Sequence, residues 1–218
     1  MKRGFTLAEV LITLGIIGVV ASLTLPALIA NHKRKEWQTA MLKQYSLMQQ
    51  VLLQMEADSG SALNPEDYPV RTFKPVFMQY FSVAKDCGMV GCIPAVASSD
   101  IYSTYSGKPA NTKYFDDGQF ITSDGLMYMI ENPANESTPR RVWILVDTNG
   151  HLKKPNKLGY DVFAFELMPD GKLLPMGAEN TAFADKSLYC SETSANEANG
   201  LGCTYYALTD KDYWKNLP

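Results

Sequence analysis

From Phe5 to Ala30 nearly every position is apolar, and within these 26 residues the only ionisable side chain is Glu9. A helix of this length extends about 39 Å at about 1.5 Å per residue, enough to cross a bilayer with some tilt. Few globular domains of this size bury such a run on every side. A cleaved secretory signal has a shorter apolar stretch ending in small residues, and near Ala30 the position that should be small holds Leu28. The segment therefore reads as retained. After Trp37 the pattern changes: Trp37, Met41, Tyr45, Met48, Leu52 and Met55 recur every three or four residues, with Lys43, Gln49, Gln54 and Glu56 elsewhere. This spacing predicts an amphipathic continuation of the helix to about Ala57, ended by Asp58-Ser59-Gly60-Ser61. One long helix thus has two environments, the second half facing a protein core.

The rest of the chain reads differently. Gln119 to Thr122, Ser123-Asp124-Gly125 and Leu126 to Ile130 form a strand, a turn and a strand. Val142 to Val146 is a short buried strand ending at Asp147-Thr148-Asn149-Gly150, Asp161 to Leu167 alternates, and Pro169-Asp170-Gly171 turns into Lys172 to Leu174. Four strands with close turns predict an antiparallel β-meander. The fold class is α+β, with a long N-terminal hydrophobic-then-amphipathic helix packed on one face of that C-terminal meander. Between them, Phe73, Val76, Phe77, Tyr80 and Phe81 are spaced as a short helix that Pro75 helps to initiate. Residues 98–117, rich in Ser, Tyr, Gly and Asp, read as loop or irregular edge. The tail from Leu188 to Pro218 reads as irregular, with Tyr205, Tyr206, Tyr213 and Trp214 available for packing or contact.

Composition narrows the function. The 218 residues suffice for one membrane or filament segment and one globular domain of about 150–180 residues. The formal charge is -3, and loss of Lys2 and Arg3 with a leader would make it more negative, so no nucleic acid is expected as a partner. The four cysteines form two sequence-local pairs, Cys87/Cys92 and Cys190/Cys203, which read as disulfides in an oxidising compartment. Four free thiols are the alternative. A zinc site is disfavoured, because neither pair has C-x-x-C spacing and the only histidines are His32 and His151. Basic residues on both sides of the apolar run, Lys2 and Arg3 before it and His32-Lys33-Arg34-Lys35 after it, give no clear orientation. The cysteines decide instead for a domain outside the cytoplasm.

If Phe5 starts the helix, Glu9 lies about 6 Å deeper along its axis, near the headgroup boundary. An acid in lipid should find a partner or mark a function, and proteolysis after Gly4 would create a cation at that level, the α-amino group of Phe5. Here the residues match a family. Met1-Lys2-Arg3-Gly4 followed by Phe5-Thr6-Leu7-Ala8-Glu9 resembles the type III leader of type IV pilins and of type II secretion pseudopilins. The resemblance implies that a prepilin peptidase in the inner membrane cuts after Gly4 and methylates Phe5. Glu9 matches the family's glutamate, and Pro26 its helix proline. It also implies other pilin or pseudopilin subunits and an inner-membrane assembly platform as partners. The motif covers about the first 30 residues; beyond them the likeness is one of architecture.

The implied organisation is a leader over 1–4, a transmembrane or filament-core helix over 5–30, its amphipathic continuation over 31–58, and a periplasmic or extracellular pilin-like domain over 59–218. Pairing of Glu9 with the Phe5 amine, within a chain or between neighbours, removes an uncompensated charge from lipid, and the intermolecular form fixes axial register. Pro26 removes a backbone donor and should kink or loosen the helix between about Ser22 and Pro26, which would let it stretch on assembly; a tolerated interfacial proline is the alternative. The basic cluster after the span either meets acidic groups on neighbouring subunits or is a solvated helical turn.

One stretch raises a metal. Asp147, Asn149 and Asp161 gather carboxylate and amide oxygens of the kind that hold calcium, and some pseudopilins use a calcium-stabilised loop. The EF-hand order is absent, and an Asn-Gly turn with a solvated loop is the simpler account. No nucleophile elbow, P-loop, dinucleotide fingerprint or zincin motif occurs, so an enzyme is not expected. The expectation is a structural subunit that enters a type IV pilus or a type II secretion pseudopilus. A membrane-anchored binding domain or hydrolase that does not polymerise is the alternative.

Overall fold

The computed structural model describes residues 6–132 and 140–217. Gly4 and Phe5, the expected processing junction, lie outside the described residues, as does the expected leader. The chain divides into two units, Met1–Glu36 and Trp37–Pro218.

Helix α1 (Leu7–Ser59) is a single 53-residue element that passes through Pro26. In the first unit its apolar side chains are exposed around the helix, among them Leu11, Ile12, Ile16, Val20, Leu25 and Ile29. The hydroxyls in this stretch bond to their own helix. Thr13 donates to the carbonyls of Glu9 and Val10 at 2.9 Å, Ser22 to Val19 at 2.8 Å and Thr24 to Val20 at 2.9 Å. A hydroxyl satisfied in this way costs little in an apolar surrounding, so these residues do not interrupt the apolar surface. Through the turn before Pro26 the chain stays helical.

In the second unit α1 buries Met41, Gln44, Met48, Val51, Leu52 and Met55, a stripe at helical spacing. A short helix, α2 (Phe73–Phe77), follows, and then six strands: β1 (Val83–Asp86), β2 (Gly118–Thr122), β3 (Met127–Glu131), β4 (Val142–Asp147), β5 (Val162–Leu167) and β6 (Leu173–Pro175). They form one antiparallel sheet in the order β1-β2-β3-β4-β5-β6. Two short helices, α3 (Lys186–Tyr189) and α4 (Cys203–Thr209), complete the domain. Alternation along the strands places Phe120, Tyr128, Ile144, Val146, Phe163 and Phe165 in the core that contains the α1 stripe. The Tyr128 hydroxyl donates to Gln44 Oε1 at 2.6 Å in the buried interior. Tyr45 stacks on Phe165 with ring centroids 5.2 Å apart and donates to the Leu173 carbonyl at 3.2 Å.

The sheet is buried on its other face as well. Met127, Met129, Leu145, Val162 and Ala164 join Ile93, Tyr102, Ala110 and Phe115 from the segment before β2, and Met176, Phe183 and Leu201 from the segment after β6. Residues 98–117 are therefore more than a connection or an irregular edge. They help form a third layer, and Tyr102 and Phe115 are wholly enclosed. The backbone of this layer bonds to other irregular segments: Ser103 N–H donates to Asn156, and Tyr105 N–H to Asn199. No period-two or period-3.6 pattern is needed for that packing, and none is present.

Strand β1 was not read from the sequence. Its four residues are mostly exposed, so no apolar alternation marks it. The expected helix around Phe73 is present, though Pro75 falls inside its five residues. Both expected cysteine pairs are at bonding distance, with Cα separations of 5.4 Å for Cys87–Cys92 and 4.8 Å for Cys190–Cys203.

Candidate assembly segment and buried carboxylate sites

The start of α1 uses the one carboxylate of the apolar run. The backbone N–H and the hydroxyl of Thr6 both donate to Glu9 Oε2 at 2.8 Å, and the Glu9 N–H donates to Thr6 Oγ1 at 3.3 Å. This is a reciprocal capping box, which satisfies orphan donors of the first turn. Its sequence signal, Thr-x-x-Glu, is legible at Thr6 and Glu9. The box holds the carboxylate at the positive end of the helix dipole. Farther along, Lys33 pairs with Glu36 at 2.8 Å with both side chains half-exposed. That pair behaves as part of a solvated turn and contributes about 0–1 kcal/mol.

Residues 1–25 match the prokaryotic N-terminal methylation motif. The chain carries a prepilin-type segment. Such a segment is the cleavage and methylation site of type IV pilins and pseudopilins, and it implies processing by prepilin peptidase. The prepilin-type segment takes in Gly4, Phe5 and Glu9 and stops one residue short of Pro26. With the exposed apolar half of α1, which is long and apolar enough to cross a membrane, it indicates a single-pass anchor. No curated protein and no solved structure matches the chain.

Beyond the prepilin-type segment, the three residues singled out for calcium come together. Asp147 and Asp161 are fully buried. Asp147 Oδ1 accepts from the backbone N–H groups of Asn149 and Gly150, at 3.2 and 2.9 Å, and its Oδ2 from the Tyr102 hydroxyl at 2.9 Å. Asp161 accepts from the N–H groups of Lys157 and Asn156, at 2.7 and 3.0 Å, and from Asn149 Nδ2 at 3.1 Å. Burial pushes the Asp147 carboxyl up to about 7, with the charge of Asp161 adding to it, and pushes Asp161 up to about 6. Every carboxylate oxygen of this pair is hydrogen-bonded, so the arrangement works as a clip on the loop between β4 and β5. Gly150 has a positive φ of 84°. A Cβ there would collide with the Gly125 carbonyl, so only glycine lets this loop lie against the β2–β3 turn.

A second acidic group lies where β2 begins and β3 ends. Asp116, Asp117 and Glu131 each bring an oxygen within 4.8 Å of the others. Asp117 Oδ1 accepts from Arg71 Nε at 2.8 Å, and its Oδ2 from the Asn132 N–H at 3.0 Å. Arg71 reaches this position with a φ of 65°, a left-handed conformation that costs a non-glycine residue about 1–3 kcal/mol. Burial first, then the charges of Asp117 and Asp116, push the Glu131 carboxyl up to about 8. Among the described residues, Glu131 Oε2 and Asn132 Oδ1 have no hydrogen-bond partner, nor has the indole N–H of Trp143, which faces Glu131 across β3 and β4. Sequence reasoning missed this group. Asp116 and Asp117 look like loop residues and Glu131 like the polar end of a strand; only the register pairing Gly118 with Ile130 brings them together.

Proposed function

We infer that the chain is a structural subunit of the pilin or pseudopilin kind. In this reading prepilin peptidase cleaves between Gly4 and Phe5 and the new N-terminus is methylated. The protein first sits in the bacterial inner membrane as a single-pass protein with its domain outside the cytoplasm. It then joins a type IV pilus or a type II secretion pseudopilus, drawn from the membrane by an inner-membrane assembly platform. The observation that supports this is the methylation motif over residues 1–25, on a helix whose first half exposes apolar side chains and whose second half is built into a protein core. Such a helix is an anchor in lipid and a packing surface among copies of itself. Once Phe5 is the first residue, its amine and the Glu9 carboxylate of a neighbour form an ion pair that fixes the stagger between subunits. Pro26 supplies the point at which the helix lengthens on assembly. The two disulfides suit an oxidising exterior.

The chemistry of this reading is done to the chain by its processing enzyme, and the chain's own work is mechanical. Mass spectrometry of the protein from its native membrane tests it. The expected N-terminus is Phe5 carrying one methyl group; a functional protein that still begins at Met1 would refute the reading.

A further inference from the structure

After Glu36 the chain carries more acid than base, 15 Lys and Arg against 21 Asp and Glu, yet one end of the domain is basic. Trp37, the domain's first residue, meets Tyr160 edge-on with ring centroids 5.9 Å apart, and Lys157 Nζ lies 4.1 Å over the same tyrosine ring. Lys43, farther along α1, faces Asp124 of the β2–β3 turn at 4.0 Å. That turn supports the β4–β5 loop, since Gly150 lies against the Gly125 carbonyl. The tip of the loop, His151-Leu152-Lys153-Lys154, is therefore on the Trp37 side of the domain. Leu152 is 87 % exposed, the most of any large apolar side chain among the described residues, and Lys153 and Lys154 beside it are exposed as well. Lys85 of β1 is near enough that its charge, after burial, lowers the pKa of His151. Among the described residues, Lys85, Lys153 and Lys154 have no ion-pair partner.

We propose that this end of the domain, with the tip 151–154 foremost, docks on an anionic phospholipid surface while the chain is anchored by the first half of α1, a step that rests on the anchor reading and not on polymerisation. Trp37 follows Ala30, the last residue of the apolar run, by seven residues, a reach of at most about 25 Å even for an extended chain. Lipid is thus the one partner always within reach of this end. Anionic headgroups attract each Lys near them, and their field fades within about 8 Å at physiological salt, so the residues at the tethered end are the ones that feel it. Leu152 supplies what charge alone does not, an apolar side chain that enters the boundary between headgroups and acyl chains while Lys153 and Lys154 keep their ammonium groups among the phosphates. The Lys153 N–H donates to the Gly150 carbonyl at 2.8 Å, so these side chains are presented on a closed turn. An acidic protein surface would satisfy the lysines but leave the bare leucine among them unexplained.

The test places the full chain in lipid nanodiscs of phosphatidylcholine, alone or mixed with phosphatidylglycerol, and follows amide hydrogen exchange over residues 151–154. The N–H groups of Leu152 and Lys154 donate to no acceptor among the described residues, so they exchange fast unless lipid covers them. In the anionic discs their exchange should slow about fivefold or more, and molar salt should reverse most of the effect. Leu152→Ser, and Lys153→Glu combined with Lys154→Glu, should each abolish the slowing; all three side chains are exposed, so the domain folds in both variants. Equal exchange in the two lipids overturns the proposal and leaves the anchor standing, whereas a chain that does not enter the discs overturns both. Slowing that is the same in zwitterionic discs and grows with the number of chains per disc assigns the tip to a second copy and also overturns it.

Discussion

Glu9 serves two physical roles that one substitution can separate. In the capping box its carboxylate accepts from Thr6, and in the proposed filament it meets the Phe5 amine of a neighbour. Glutamine at the same position still accepts from the cap but carries no charge. Glu9→Gln should therefore leave the protein folded and membrane-inserted while filaments imaged by electron microscopy become rare. Thr6→Val should weaken the cap by about 1 kcal/mol yet leave filaments in place. Equal filament yields from Glu9→Gln and wild type would remove the charge from the mechanism. Tyr128 makes the corresponding case inside the domain. Its hydroxyl is the bond from β3 to Gln44 of α1, and Tyr128→Phe leaves a buried amide oxygen unpaired. A loss of about 1–3 kcal/mol in denaturant unfolding is expected. The spacing of Glu9 and the Met41–Met55 stripe were legible because each is a local regularity. Gln44 was not, because its polarity hides a buried position that only the opposing tyrosine explains.

Among the elements, the loop between β4 and β5 has the clearest dependence on solution conditions. The Asp147 and Asp161 carboxyls titrate near 7 and 6 in the folded chain, against about 3.9 when unfolded. Between about pH 4 and 7 the folded chain therefore holds protons that the unfolded chain releases. Stability contributed by this pair is greatest in acid, falls as pH rises through that window and levels off above it. Denaturant unfolding in EDTA should show a decline of about 4 kcal/mol from pH 5 to pH 8, and Asp147→Asn should remove more than half of it. A rise over the same range would show that the hydrogen bonds to these carboxylates outweigh their burial. The strands around this loop were readable from alternation and turn residues, as Val142–Val146 and Asp161–Leu167 illustrate. The clip was foreseen as oxygens in proximity, but its hydrogen bonds come from backbone groups of residues 149, 150, 156 and 157, and those follow from loop conformation and not from residue type.

At the scale of the molecule, the helix-on-sheet layer was legible and the layer beneath the sheet was not. The first rests on periodic patterns in α1 and in β3 to β5. The second rests on single aromatic and aliphatic residues, Tyr102, Phe115, Met176 and Phe183, dispersed through segments without period. The Asp116–Asp117–Glu131 group escaped for the same reason, since it joins residues distant in sequence through strand register. The two borders of the sheet carry a further meaning. On one side β1 presents Lys85 and Asp86 to solvent; on the other, β6 is three residues long and ends in Pro175. A charged border and a proline-stopped one are poor templates for another strand. In the proposed filament, where identical domains would be held side by side, this would discourage amyloid-like zipping of one sheet onto the next and leave association to the greasy rods.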